Sequence, residues 1–152
     1  MNKILLAVVA FLLVGGLAIY WNATSSGQQS AGHSMVPPDT NGIAHGAPIV
    51  EVSLPAELST NAQIGKRAFE AKCAECHGAN AAGQNGVAPP LVHKIYEPSH
   101  HSDMAFVLAA KNGVRSHHWN FGNMPPVDGL TDADVKMIAG YVRELQAENG
   151  IF

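Results

Sequence analysis

Cys73-Ala74-Glu75-Cys76-His77 is the stretch of this 152-residue chain that decides the fold. It contains the only two cysteines, three positions apart, and a histidine directly after the second. At about 100° per residue, positions 73, 76 and 77 of a helix fall on one side of a single turn. Two thiols and an imidazole are therefore expected to face the same way.

This arrangement suits covalent attachment of one haem, because two sulfurs can reach two vinyl groups while the imidazole binds iron. A dithiol oxidoreductase is the first alternative, but it places C-x-x-C after a strand, and no strand pattern precedes Cys73. A structural zinc site needs two more ligands at regular spacing, and a disulfide within one helical turn would be strained. The motif thus favours haem c, with Cys73 and Cys76 as thioether residues and His77 as an axial iron ligand.

The residues around the motif predict short helices joined by loops rich in glycine and proline. Thr60 and Gln63 are spaced as a capping box, and the helix that they begin is expected to run through the motif and stop at Gly78. A second helix is predicted to start at Ser102 and to end at a glycine stop, Gly113. The apolar positions assigned to these two helices are Ile64, Ala68, Phe69, Ala71, Met104, Val107 and Leu108.

The last predicted helix begins with a second capping signature, Thr131-Asp132-Ala133-Asp134, and carries one apolar stripe. Its members recur at spacings of three and four: Val135, Ile138, Val142 and Leu145. Few stretches alternate as strands do, so the domain is predicted to be all-α. A domain of this size without a disulfide framework buries little surface, and a large apolar cofactor would fill its centre.

The motif and its surroundings resemble the class I cytochrome c family over nearly all of residues 60–149. Gly65 and Phe69 match the small residue and the aromatic on the family's first helix, and Tyr141 beside Gly140 matches the aromatic on its last. The resemblance implies that these two helices cross closely. It also implies a small fold of about three to five short helices around one covalently bound haem c with its iron.

The resemblance further implies which residues complete the haem site. The family's proline, whose carbonyl accepts a hydrogen bond from the ligand imidazole, looks like Pro89 or Pro90, and Pro90 is predicted to orient His77. The family's distal ligand is a methionine in a Gly/Pro loop. Met124 is the methionine of this chain that lies in such a loop, so it is the predicted second axial ligand.

Histidines supply an alternative distal ligand. His117 and His118 are the best histidine candidates, ahead of His93, His100 and His101. The pairs at 100–101 and 117–118 are interpreted as exposed polar loop residues, with secondary metal or partner contacts as the alternative. Three neighbouring side chains either donate to haem propionates or are ordinary loop residues: Arg115, Trp119 and Asn120.

Residues 1–21 predict a transmembrane anchor or a signal segment. After Lys3 they carry no charge, and the apolar run is about 27 Å long as a helix, close to the thickness of a bilayer core. Tyr20 and Trp21 resemble an interfacial aromatic belt, which favours a retained anchor. A small-x-small site at 16–18 leaves cleavage open, and the protein would then be released to the periplasm.

Three domains follow from these patterns: the segment 1–21, a flexible Pro/Gly/Ser-rich linker at 22–58, and a cytochrome c domain at 59–152. The positive-inside tendency places the haem domain on the periplasmic side of the cytoplasmic membrane, with a single membrane pass.

The predicted function is one-electron transfer between respiratory or periplasmic redox partners, not catalysis. The partners implied are a respiratory complex, a dehydrogenase or a terminal reductase. The alternative is a haem-bearing subunit of a dehydrogenase or reductase complex. A net charge of −3 gives no basic footprint and excludes nucleic acid as an expected partner.

Overall fold

The structure, a computed structural model, describes residues 2, 12, 13, 15, 16 and 35–152. Residues 35–152 contain four α-helices, two short 3-10 turns and two isolated β-bridges. The all-α prediction is confirmed for this part of the chain. The helices are α1 (Thr60–Lys72), α2 (Ala74–His77), α3 (Asp103–Asn112) and α4 (Asp132–Glu148), and the 3-10 turns are Ala79–Ala81 and Lys94–Tyr96.

The predicted membrane segment, residues 1–21, lies almost wholly outside the described residues. Among the residues that are described, no helix combines the length and the apolar character that crossing a membrane requires.

The first predicted helix is present but begins and breaks differently. Its N-cap is Ser59 rather than Thr60, because the Ser59 hydroxyl accepts a hydrogen bond from the Ala62 N–H. The Ser59 N–H in turn donates to the Glu144 carboxylate. The helix also divides at Cys73 into α1 and α2. Gly78 ends α2 as predicted, with a φ of +73° that favours glycine.

Helices α1 and α4 cross at a glycine. A Cβ built on Gly65 would lie only 1.9 Å from the main-chain oxygen of Met137, so no larger residue fits this crossing. One turn further along, the Phe69 and Tyr141 rings are 5.7 Å apart and tilted, both fully buried. The predicted contact of Gly65 and Phe69 with α4 is confirmed, whereas Gly140 has open space beside it and plays no part in the close approach.

Helix α4 carries the predicted stripe, and all four of its members are buried: Val135, Ile138, Val142 and Leu145. The apolar faces predicted for α1 and α3 are only partly correct. Phe69 and Val107 are buried, but Ile64, Met104 and Leu108 are 42%, 50% and 51% exposed. These two helices are buried on narrower faces, at Ala62, Gly65 and Phe69 in α1 and at Val107 and Ala110 in α3.

The capping box predicted at Thr131 is confirmed and makes the stability of the fold depend on pH. The Thr131 hydroxyl and N–H donate to the Asp134 carboxylate over 2.6 and 2.9 Å, and these bonds lower the pKa of Asp134. Because the folded pKa is lowered, the ionised carboxylate stabilises the protein above its ordinary pKa, and this contribution is lost as the pH falls through the folded value.

Replacing Asp134 with asparagine is therefore expected to lower the free energy of unfolding near neutral pH and to have little effect in acid. Urea denaturation of both proteins across this pH range measures the difference. A gap between the two proteins that stays constant from neutral to acid pH would contradict the assignment.

Part of the stretch predicted as a flexible linker, 22–58, lies against the domain. The Ile49 and Val50 N–H groups both donate to the Ala82 carbonyl, and Asn85 exchanges hydrogen bonds with the main chain near residues 43–47. Ser53 is joined to the Asn149 side chain by two hydrogen bonds of 2.9 Å. These main-chain bonds come from residues distant in sequence, which composition alone does not reveal.

Candidate functional site

Four of the predicted site residues line one cavity of about 550 Å³: Cys73, Cys76, His77 and Met124. This volume lies within the ~300–1,000 Å³ typical of sites for small molecules and cofactors. The walls are mainly apolar side chains from α3, α4 and the loop between them, including Phe106, Val114, Val127, Leu130, Val135 and Ile138. The fold therefore brings the C-x-x-C-H motif and the methionine loop to the wall of the same cavity.

The backbone of the motif makes the single turn that its spacing predicts. The N–H groups of Cys76 and His77 both donate to the Cys73 carbonyl, over 3.2 and 2.8 Å. Cys73 is half-buried and Cys76 is exposed, while His77 is buried at the cavity wall. Both sulfurs and the imidazole thus border the same space.

The Cys73 thiol does not have the low pKa of a nucleophilic redox cysteine. The two cysteines are not joined in a disulfide, and burial together with the neighbouring Cys76 raises the pKa of the Cys73 thiol to about 11. Catalytic C-x-x-C motifs need the opposite shift, since the thiolate is the nucleophile. This shift argues against the dithiol oxidoreductase alternative.

A hydrogen bond fixes the orientation of His77. Its Nδ1 lies 2.9 Å from the carbonyl oxygen of Pro89, which can only accept, so Nδ1 carries the proton and Nε2 keeps its lone pair. Burial lowers the pKa of His77, and the Pro89 bond offsets only part of this shift, so the ring is neutral. A neutral, oriented imidazole of this kind is suited to bind a metal.

The residue that orients His77 is thus Pro89, and the prediction of Pro90 was wrong. Gly83 explains the difference, because it brings the proline main chain against the motif. Its N–H donates to the His77 carbonyl over 2.8 Å, and a Cβ on it would lie 2.5 Å from the Pro90 nitrogen. In this arrangement the Pro90 side chain is buried in the domain and the preceding carbonyl faces the imidazole.

Main-chain hydrogen bonds hold the loop that carries Met124. Val114 and Met124 exchange N–H to carbonyl bonds of 2.9 Å in each direction, and the Val127 N–H donates to the Ala110 carbonyl at the end of α3. Gly113 allows this approach, because its φ is +73° and a Cβ on it would lie 2.5 Å from the Met124 oxygen. The position of Met124 is therefore set by the backbone.

Trp119 presents a buried donor to this region. It lines the cavity, is 5% exposed, and its Nε1 has no hydrogen-bond partner among the described residues. The Tyr96 hydroxyl is close enough to the indole to offset part of the upward pKa shift that burial gives Tyr96, but no hydrogen bond of standard geometry joins the two groups. A buried indole N–H is normally bonded, so Trp119 fits a bound group that brings an acceptor.

Of the five histidines predicted as alternative distal ligands, three form a cluster and two lie outside it. One ring nitrogen from each of His101, His117 and His118 lies within 4.8 Å of the other two. By contrast, His100 lies 3.3 Å from the Glu97 carboxylate, and His93 caps a 3-10 turn. The sequence interpretation missed this convergence, because pairs of adjacent histidines give no sign of which member turns inward.

Comparison with protein families supplies the deciding observation. The family model for cytochrome c matches residues 62–146, which is more than half of the chain.

The chain belongs to the cytochrome c family.

Comparisons with curated proteins and with solved structures each give no match. Membership of the cytochrome c family gives this chain covalently bound haem c with its iron as cofactor. The site fits that group on three counts: an apolar cavity beside two free thiols, a neutral imidazole with one committed nitrogen, and an unpaired indole donor. The cytochrome c domain supports a haem-based electron carrier in general, and domains of this family are typically electron-transfer modules.

Proposed function

We propose that this cytochrome c carries single electrons with both axial positions of its iron filled by its own side chains. Cys73 and Cys76 hold the haem through thioether bonds, and His77 and Met124 are the axial ligands. The observation that carries the proposal is that all four residues line one cavity. With no axial position left for a substrate, electron exchange through the haem is the chemistry that remains.

Each residue has a defined task in this proposal. The haem supplies reversible one-electron exchange between ferric and ferrous iron. His77 offers Nε2 because its Nδ1–H is held by the Pro89 carbonyl. Met124 offers a neutral thioether, and its apolar surroundings disfavour the extra positive charge of the oxidised form, so both raise the reduction potential. Trp119 Nε1 is the donor available for a haem carboxylate.

Carbon monoxide tests whether the axial positions are filled. We expect the reduced, haem-loaded protein to show no spectral change when carbon monoxide is added at neutral pH, because protein side chains occupy both axial positions of the iron. Potentiometric titration of the same sample should follow a one-electron curve. If the wild-type protein bound carbon monoxide readily, the proposed electron carrier would be contradicted, and the protein would instead be a haem protein that binds small ligands.

Thiol labelling tests the covalent attachment separately. In denatured, haem-loaded protein neither Cys73 nor Cys76 should react with an alkylating reagent, and the haem should stay with the chain after acid extraction. Replacing both cysteines with serine should release the haem under the same conditions. Labelling of both thiols in the coloured wild-type protein would contradict the thioether assignment.

We also propose an extracytoplasmic location, which is typical of cytochrome c domains. Residues 1–21 would then be a single-pass anchor of the cytoplasmic membrane or a cleaved signal, and the redox partners would be respiratory or periplasmic proteins. The uncharged run after Lys3 supports this proposal. N-terminal sequencing of the mature protein, together with membrane fractionation, distinguishes a retained from a cleaved segment.

A further inference from the structure

Three imidazoles meet at one edge of the haem cavity, on residues to which the proposed electron transfer assigns no task. His101 follows the 3-10 turn Lys94–Tyr96, while His117 and His118 belong to the loop after α3. The His117 and His118 ring centres are 4.3 Å apart, and they lie 6.1 and 5.4 Å, respectively, from that of His101. We call His101, His117 and His118 the trihistidine cluster.

Two of the three rings are fixed in the form that binds metals. The Nδ1 atom of His101 lies 2.7 Å from the Ile95 carbonyl, and that of His117 lies 2.9 Å from the Arg115 carbonyl. Since a carbonyl only accepts, each Nδ1 carries the proton of the neutral ring and leaves the Nε2 lone pair available. A backbone carbonyl on the far nitrogen is the usual support of a metal-bound histidine.

The spacing of the cluster is near that of a metal site. One ring nitrogen from each histidine lies within 4.8 Å of the others, whereas nitrogens bound to one tetrahedral ion by bonds of ~2.0 Å are about 3.3 Å apart. Binding requires the ring nitrogens to move closer together, and because His117 is exposed and His118 half-buried, neither side chain is held in the core.

We propose that the trihistidine cluster binds a divalent transition-metal ion, separate from the haem iron. Three neutral imidazoles suit Zn²⁺ and Cu²⁺ and leave one position for water, and the general order of stabilities favours Cu²⁺. Arg143 donates to the His101 carbonyl and so brings a positive charge near the cluster. Its guanidinium is paired with the Asp103 carboxylate at 2.8 Å, which offsets part of its repulsion of a cation.

Zinc binding by the untagged, haem-loaded full chain tests the proposal. Equilibrium dialysis and calorimetry should show one Zn²⁺ per chain, with Cu²⁺ bound more tightly. Replacing the exposed His117 with glutamine should weaken zinc binding about tenfold or more, since loss of even a supporting group has that effect. The matched control is His100→Gln, which removes a neighbouring histidine outside the cluster and should leave the affinity at its wild-type value.

Crystals soaked in Zn²⁺ should show anomalous scattering at the zinc edge between the three rings. The proposal fails if no zinc is retained, if His100→Gln weakens binding as much as His117→Gln, or if the ion lies elsewhere. It also fails if His117→Gln changes the haem absorption spectrum of the metal-free protein, because that ring would then be an iron ligand. A failure to bind zinc leaves the carbon monoxide and thiol tests of the electron carrier unaffected.

Discussion

The reduction potential of the haem is expected to fall when Met124 is replaced by alanine, by a sizeable part of the ~0.8 V range that axial ligands span. The thioether is a neutral, soft donor that favours ferrous iron, so its loss removes a preference for the reduced state. Potentiometry followed by visible absorption measures the change. The reduced variant should also bind carbon monoxide, which the wild-type protein should not.

Met104 provides the matched control for this experiment. It lies on α3 with half of its surface exposed, so Met104→Ala removes the same side chain away from the proposed ligand position. Its potential and spectrum should equal those of the wild-type protein. An unchanged potential in Met124→Ala would exclude the methionine ligand, and the same measurements on His118→Gln would then test the histidine alternative.

Replacing Gly65 with alanine is expected to destabilise the domain by about 3 kcal/mol, at the upper end of the usual cost of overfilling a core. The added Cβ would lie 1.9 Å from the Met137 oxygen and 2.4 Å from its carbonyl carbon. Because both atoms belong to the backbone, a side-chain rotation does not relieve the clash. Helices α1 and α4 must separate, which weakens the contact between Phe69 and Tyr141.

Gly140→Ala is the control for the helix propensity of alanine. A Cβ at this position meets nothing within 4 Å, so the substitution should stabilise the protein by up to ~1 kcal/mol through helix propensity alone. The free energies of unfolding of the haem-loaded proteins in denaturant measure both effects. Equal stability of the two variants would show that the crossing of α1 and α4 tolerates a larger residue.

The parts of the fold that were predictable from the sequence depend on local patterns. The turn at Cys73–His77, the capping box at Thr131 and the stripe on α4 each involve residues within a few positions of one another. Such patterns fix the backbone through nearby hydrogen bonds and helical periodicity, which need no knowledge of the tertiary structure.

The features that the sequence did not predict depend on contacts between distant segments. Two adjacent prolines are equivalent in a sequence motif, and the tight fit at Gly83 decides that Pro89 faces His77. The trihistidine cluster likewise needs the turn before α3 to meet the loop after it. In each case the tertiary contacts between distant segments, rather than the residue types, determine the outcome.

The bonds between Val114 and Met124 bear on the speed of electron exchange. Both are main-chain hydrogen bonds, so neither involves a group whose charge changes with the oxidation state of the iron. The carbonyl that orients His77 is likewise part of the backbone. Because these backbone groups are already in place for both the oxidised and the reduced haem, few atoms need to move when an electron is gained or lost. We therefore expect a low activation barrier for electron exchange in the proposed carrier.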